Sequence, residues 1–392
     1  MSQIVIAGAK RTAIGSFQGQ FNGVPATQLG STAIAAALAH AGVAADQVDE
    51  VIMGCVLPAN LGQAPARQAA LAAGIPQSAG ATTINKVCGS GMKAIMQAHD
   101  AIKAGSIDIA VAGGMESMSN APYLLPKARA GYRMGNAEVI DHMMWDGLTN
   151  PYDGQAMGVF GEQCVEKFGM SREDQDQFAA ESVQRALAAT SSGAFDNEIA
   201  TVTVATRKGE LQISTDEEPP RCDLDRISSL RPAFKRDGGT ITAASSSKIS
   251  DGAAATVVLS AQAAQRLGIQ PLARIVAHAT HSHAPEWFTT APVNAIEKVL
   301  AKAGWTKDDV DLYEINEAFA CVAMAPIREL GLDHAKVNVN GGACALGHPI
   351  GASGARVVVT LIHALLARGG KRGVASLCIG GGEATALAVE IL

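Results

Sequence analysis

A few residues in this 392-residue chain have the type and the setting to do chemistry. Cys88 stands in NKVCGSGMKAIMQAHDAI, ahead of Met92, Ile95, Met96, Ala98 and Ile102, which recur at helical spacing. This places Cys88 at or just before a helix N-terminus, where unpaired backbone N–H groups and the helix dipole favour an anion. The expectation is a thiol stabilised as its thiolate and therefore nucleophilic. The glycines at 89 and 91 would let a substrate or another segment come close. Read alone, Cys88 is equally open to the ordinary fate of a free cysteine, inert burial.

His348 lies in NVNGGACALGHPIGASGAR, fixed by the following Pro349 in a glycine-rich turn, with a helix beyond it that runs to the Gly369–Gly370 stop. It is either a histidine poised to reach outward or a structural loop histidine. Cys378 ends RGVASLC and precedes IGGGEA, whose successive glycines offer backbone N–H groups as an anion nest or simply make a tight strand connection. Asn316 ends DLYEIN, at the strand edge where α/β proteins place ligand chemistry; otherwise it caps the helix EAFACVAMAPIREL.

Other chemistries find less support. His278, His281 and His283 in HATHSH invite a metal reading, but no cysteine or carboxylate cluster accompanies them at ligand spacing, so a surface histidine cluster is expected. No GxGxxG follows the first strand and no GxxxxGK[ST] occurs, which leaves hydride-transfer and NTPase readings without a motif. Two basic runs, 126–135 with Lys127, Arg129 and Arg133, and 221–236 with net charge about +3, fit either a polyphosphate ligand or a solvated face.

The elements that must position these residues read as short apolar strands alternating with Ala-rich helices, which predicts βαβ units and a mostly parallel sheet. The strand candidates are 3–8, 48–54, 108–114, 255–260, 311–316, 336–342, 372–378 and 385–392. A helix opens with Ser171 as its cap in SREDQDQFAAESVQRALAA. The chain also looks duplicated. Residues 41–54 lie over 303–316, 88–95 over 351–358 and 112–117 over 379–384, all at offsets of about 265, whereas 251–260 resembles 381–390 at an offset of only about 130. An insertion in the first half accounts for that drop. The expected organisation is residues 1–117 plus 250–268 as an N-terminal half, 118–249 as an inserted loop domain, and 269–392 as a C-terminal half.

Composition agrees with an α/β protein. Hydrophobic residues make up 48% and charged residues 17%, which rules out disorder. A net charge of −6 gives no global basic field, so nucleic acid is not an expected partner. Seven cysteines, an odd count without a CxxC pair, fit a reduced cytosolic compartment. The start runs from Ser2 into IVIAGA with no signal-peptide pattern, and the Ala-rich stretch near 30–45 reads as a packed helix, so no membrane partner is expected.

Taken together, NKVCGSGMKAI, VAGGMESMS, NEAFA, NVNGGACALGHPIGASGAR and CIGGGEA, in that order and spacing, resemble the thiolase family over essentially the whole chain. The resemblance implies duplicated βαβαβαββ halves in a layered α/β/α/β/α arrangement with an inserted loop domain, and a homotetramer built as a dimer of dimers in the cytoplasm. It implies reversible Claisen condensation of two acetyl-CoA molecules to acetoacetyl-CoA and CoA through a Cys88 acetyl-thioester. A broader-chain 3-ketoacyl-CoA thiolase of β-oxidation type is the alternative.

The implied roles are nucleophile for Cys88, base for His348, and removal of the α-proton for Cys378. Asn316, through a bound water, and His348 would form one oxyanion hole, and the backbone N–H groups of Cys88 and Gly380 a second. Ser247, Ala243, Ala318, Phe319, Met157 and Leu148 sit where the family contacts coenzyme A and the acyl group, with Arg221 toward the nucleotide end. Two departures stand out: Ala156 replaces a frequent histidine in QAMG, and Phe288 in PEWFTTAP replaces a frequent methionine, which suggests a short acyl pocket. No metal or resident cofactor is implied, because coenzyme A is itself substrate and product.

Overall fold

Runs such as IVIAGAKRT and SDGAAATVVLS carry small and β-branched residues on both faces, so their strands are buried on both sides. In the computed structural model, which describes residues 3–392 and leaves Ser2 outside, the principal strands are β1 (Ile4–Thr12), β2 (Glu50–Gly54), β3 (Gly80–Ile84), β4 (Ile109–Ser117), β5 (Ser250–Ser260), β6 (Ala273–Ser282), β7 (Leu312–Ile315), β8 (Arg372–Ile379) and β9 (Glu383–Ile391). They lie in the order β7-β8-β9-β6-β1-β5-β4-β2-β3. The two halves are visible in that order, with β6, β7, β8 and β9 repeating the roles of β1, β2, β4 and β5.

The sheet is mixed rather than mostly parallel. β2 runs parallel to β3 and β4, and β7 parallel to β8, but β1–β5, β5–β4, β6–β9, β8–β9 and β1–β6 are antiparallel. The cause is the last pair of strands in each half. From β8 the chain returns directly to β9 through Gly381 and Gly382, both at positive φ (92° and 87°), which glycine adopts without strain. In the first half the same return, from β4 to β5, is interrupted by residues 118–249.

Among the described residues the eight longest helices cover and fill this frame: α1 (Ala26–Ala41), α2 (Pro65–Ala72), α3 (Ser90–Lys103), α4 (Met157–Phe168), α5 (Arg172–Ser191), α6 (Ala291–Ala303), α7 (Ala320–Leu330) and α8 (Ile350–Arg368). One apolar cluster joins α1 and α2 to the N-terminal strands, a second joins α6 and α7 to the C-terminal strands, and a third is built from α3 and α8 between the two. This is the α/β/α/β/α layering. The helix α8, at 19 residues, is long and apolar enough to cross a membrane, yet nearly all of it is buried in the central layer. It reads as a core helix. The two central helices cross at glycine. A Cβ at Gly91 would fall 2.7 Å from the Ala355 nitrogen, and one at Gly354 would fall 2.4 Å from the Met92 nitrogen.

Within the inserted segment, α5 has the expected Ser171 cap, reinforced by Asp174 in a reciprocal capping box. Two expectations give way. Residues 336–342 form no strand; only a Tyr313–Val337 bridge remains, because Asn338 turns at φ 49° and its side-chain amide takes the ladder bonds to Ile315 N and O, both at 2.8 Å. The helix after Asn316 starts late, at Ala320 with Phe319 at its cap. Glu317 is diverted inward to Ser182 Oγ, Asn338 Nδ2 and the Cys344 N–H, so Asn316 is not a helix cap.

Candidate active site

The crossing of α3 and α8 brings together the segments that precede them, and these carry Cys88 and His348. Cys88 lies in the turn between β3 and α3, held by bonds from Gly89 N to Lys86 O (3.0 Å) and Lys86 N to Ser90 Oγ (2.8 Å). Val87 adopts φ 45°, a costly conformation for a β-branched residue and one that recurs where a site requires it. On the opposite side the β8–β9 turn presses in. A Cβ on Gly89 would sit 2.3 Å from Ile379 Cδ1, and the Gly380 N–H donates toward the Cys88 sulfur. Lys86 and Glu383 form an ion pair between the same two segments.

His348 is buried, its own N–H bonded to Lys248 O at 3.0 Å. Its Nδ1 lies 2.6 Å from Ser353 Oγ, and its Nε2 faces Asn316 Nδ2 at 3.5 Å. Asn316 is tethered at the end of β7 through its N–H to Ser376 O (3.0 Å), and its Oδ1 accepts from Arg356 at 3.3 Å. Arg356 is buried with Glu314, 2.7 Å away. Glu116, also buried, accepts from Val56, Leu57 and Gly351 N–H groups at 2.8–3.1 Å and ties the first turn of α8 to the N-terminal half. Cys88, half-buried, packs with Leu148 and Ile249 against an apolar cluster that includes Ile350, two residues beyond His348.

Burial dominates the electrostatics here. It pushes the Cys88 thiol up to about 11, against the pull of the Gly380 and Cys88 N–H groups. The expected resting thiolate is therefore corrected: desolvation outweighs the helix terminus, and the thiol is protonated until a base takes its proton. Burial, with the Arg356 charge behind it, drives His348 down to about 3, so its imidazole is neutral. Cys378, at the end of β8, is pushed well above the ordinary thiol range by burial and by the neighbouring Cys88. The arrangement offers two protonated thiols, a neutral imidazole, a side-chain amide and a backbone N–H that together suit acyl transfer.

A cavity of about 230 Å³ opens onto His348, lined by Leu148, Ala156, Met157, Ser247, Phe319 and Ile350 among others. Leu148 comes from the π-helical turn Met143–Leu148, and Met157 begins α4 close to Gly380. Phe319 meets Phe234 edge-on at 5.7 Å, and Ala318 lies behind the wall, its carbonyl bonded to Ser247 N at 3.0 Å. A second cavity of about 300 Å³ shares Lys248 with the first and holds Ala243, Arg221 and Arg226. Arg221 is exposed there and paired with Glu217 at 3.2 Å. Phe288 lines neither cavity: it is buried edge-on to Phe160 at 6.4 Å, in the apolar cluster that also contains Cys378.

Ser353, Arg356, Glu314 and Glu116 escaped the reading of the sequence. The signal was present for the last three, as charged residues inside otherwise apolar runs, a pattern that requires a buried partner.

Residues 4–262 match the family described as thiolase, N-terminal domain, and residues 269–391 match thiolase, C-terminal domain. Over 390 residues the chain is 52% identical to acetyl-CoA acetyltransferase of Chromobacterium violaceum, with 99% of each covered. It is 51% identical over 392 residues to acetyl-CoA acetyltransferase of Cupriavidus necator, with 100% of each covered. The crystal structure of the Bacillus anthracis acetyl-CoA acetyltransferase matches with a TM-score of 0.97 and 42% identity, covering 100% of this chain and 99% of that one.

Proposed function

The chain belongs to the thiolase family, and from that premise we propose that it is an acetyl-CoA acetyltransferase, interconverting two acetyl-CoA with acetoacetyl-CoA and CoA. The observation that carries this reading is the neutral His348 imidazole, its Nε2 against the Asn316 amide, at the end of an apolar cavity whose wall residues Leu148 and Ile350 belong to the cluster on which the half-buried Cys88 packs.

In the breakdown direction the Cys88 S–H gives its proton to His348 Nε2 and the sulfur attacks the keto carbon of acetoacetyl-CoA. The bond between C2 and C3 breaks, leaving an acetyl-thioester on Cys88 and an enolate on the departing acetyl-CoA. Cys378 gives that carbanion its proton, for which a thiol kept protonated by burial is suited. CoA then enters, its thiol proton restores Cys378, and its sulfur takes the acetyl group. Cys88 leaves as a thiolate and recovers its proton from His348. Synthesis is the reverse sequence. His348 and Asn316 are assigned to the enolate oxygen, and the N–H groups of Cys88 and Gly380 to the thioester oxygen.

Leu148, Met157, Ser247, Ala318 and Phe319 are assigned to the acyl and pantetheine portions, and Ala243 and Arg221 to the nucleotide portion. No resident metal or cofactor takes part in these steps. The division into 1–117 plus 250–268, 118–249 and 269–392 places catalytic residues on the two halves and most of the substrate wall on the insert. A homotetramer in the cytoplasm completes the reading, and the exposed apolar side chains of Tyr123, Leu125, Met134, Val139 and Trp145 support an assembly through the insert.

The test is a chain-length series with 3-ketoacyl-CoA substrates. The kcat/KM for acetoacetyl-CoA thiolysis is expected to exceed that for six-carbon and longer substrates by about tenfold or more. Equal or better turnover of the longer chains would make it a broader-chain thiolase instead.

A further inference from the structure

Away from the active site, the third turn of α3 meets β6, joining the two halves at a group of titratable side chains that the reaction does not use. His99 Nδ1 and His278 Nε2 each lie 2.9 Å from Asp100 Oδ1, and 3.2 Å from each other. The imidazole planes stand at 87°. His99 is buried, while Asp100 faces solvent. The carboxylate that HATHSH lacked in sequence is supplied here by a residue 178 positions away. His281 and His283 turn elsewhere, to each other and to the Trp287 carbonyl.

With the carboxylate ionised, both imidazole nitrogens can donate to Asp100 Oδ1, and the 3.2 Å contact between His99 and His278 then carries no hydrogen. Bare at those nitrogens, the same three side chains present two imidazole lone pairs and a carboxylate oxygen, the donor set of a metal ion, within one small cluster. Zinc-class bonds of about 2.0–2.2 Å at tetrahedral angles separate ligand atoms by about 3.4 Å, so the observed 2.9, 2.9 and 3.2 Å open by a few tenths of an ångström when an ion is seated.

We propose that His99, Asp100 and His278 form a site for a divalent transition-metal ion of the zinc class, with a fourth position open to solvent, that clamps α3 to β6. Two imidazoles and one carboxylate suit zinc, cobalt or nickel better than the hard cations calcium and magnesium. The clamp grips α3 in its third turn, away from the N-terminus that Cys88 precedes, so its effect falls on stability rather than on turnover.

Cobalt(II) is the probe, because it distinguishes these ligands from the protein's thiols. Full-length protein, stripped with chelator and then dialysed against Co²⁺, is expected to retain one more ion per chain than either Asp100→Asn or His278→Gln. The spectrum of that ion should show d–d bands without thiolate charge transfer. Its binding should raise Tm in the wild type and in neither variant, while all three proteins, folded by circular dichroism, keep the same thiolysis rate. Equal retention in the three proteins, no retention in the wild type, or thiolate bands on the retained ion would overturn the proposal.

Discussion

Ser353 Oγ lies 2.6 Å from Nδ1 of His348 and donates its own hydrogen to the Pro349 carbonyl at 3.0 Å. With its hydrogen on the carbonyl, the hydroxyl presents a lone pair to the imidazole. We assign the ring hydrogen to Nδ1 on that ground, which leaves the Nε2 lone pair facing Asn316 and the cavity. A base that must accept the Cys88 proton needs that tautomer.

Ser353→Ala removes the acceptor and leaves the tautomer unspecified. We expect kcat for acetoacetyl-CoA thiolysis to fall about tenfold with KM nearly unchanged, because the bond matters most when the ring becomes cationic. Steady-state kinetics check this. An unchanged kcat, or a loss confined to KM, would remove Ser353 from the account.

Arg356 is the only cation reaching Glu314 and the Asn316 oxygen among the described residues. Replacing it by Met leaves a carboxylate buried without a partner, at a cost of about 3–5 kcal/mol in urea unfolding. Adding Glu314→Gln should recover most of that stability. The double variant should nonetheless remain slow, since the Asn316 amide is no longer held by its oxygen. A double variant as fast as wild type would show that Asn316 needs no such support.

What the sequence disclosed and what it concealed follow from the range of the interactions. Cys88 and His348 stand in glycine-rich turns, Cys378 at the strand end just before one, and Asn316 immediately after β7, positions at element ends that local spacing alone exposes. The duplication was legible because β2 and β7, and likewise β4 and β8, keep nearly the same separation along the chain. Partners made by the tertiary fold were not legible. Nothing near Ser353 announces that His348 will turn toward it, and nothing near Asp100 announces His278. Residues 336–342 alternate like a strand and fail only because the Asn338 side chain competes for the ladder bonds of Ile315. The thiolate expected from the helix terminus at Cys88 was lost to burial, a property of packed neighbours that no local pattern carries.

The pH dependence of acetyl transfer to Cys88 follows from the same burial. The competent resting pair is a protonated thiol and a neutral imidazole. His348, lowered to about 3, is neutral above that value, and Cys88, raised to about 11, keeps its proton below that one. The rate of CoA release from acetyl-CoA in the first turnover should be flat across about pH 5–9, with an acid limb centred near 3 and an alkaline limb centred near 11. An inflection near neutrality that disappears in His348→Asn would mean that the histidine titrates there and that the site is wetter than its geometry implies.

The central claim is that Cys88 takes the acyl group and Cys378 only moves a proton. Cys378→Ala separates the two roles, and its test is the mass of the Cys88 peptide after incubation with acetyl-CoA. The account predicts one added acetyl group on that peptide in Cys378→Ala, together with loss of acetoacetyl-CoA formation, and none on the corresponding peptide of Cys88→Ser. An acetyl group found on another residue, or an unmodified Cys88 peptide in Cys378→Ala, would contradict it.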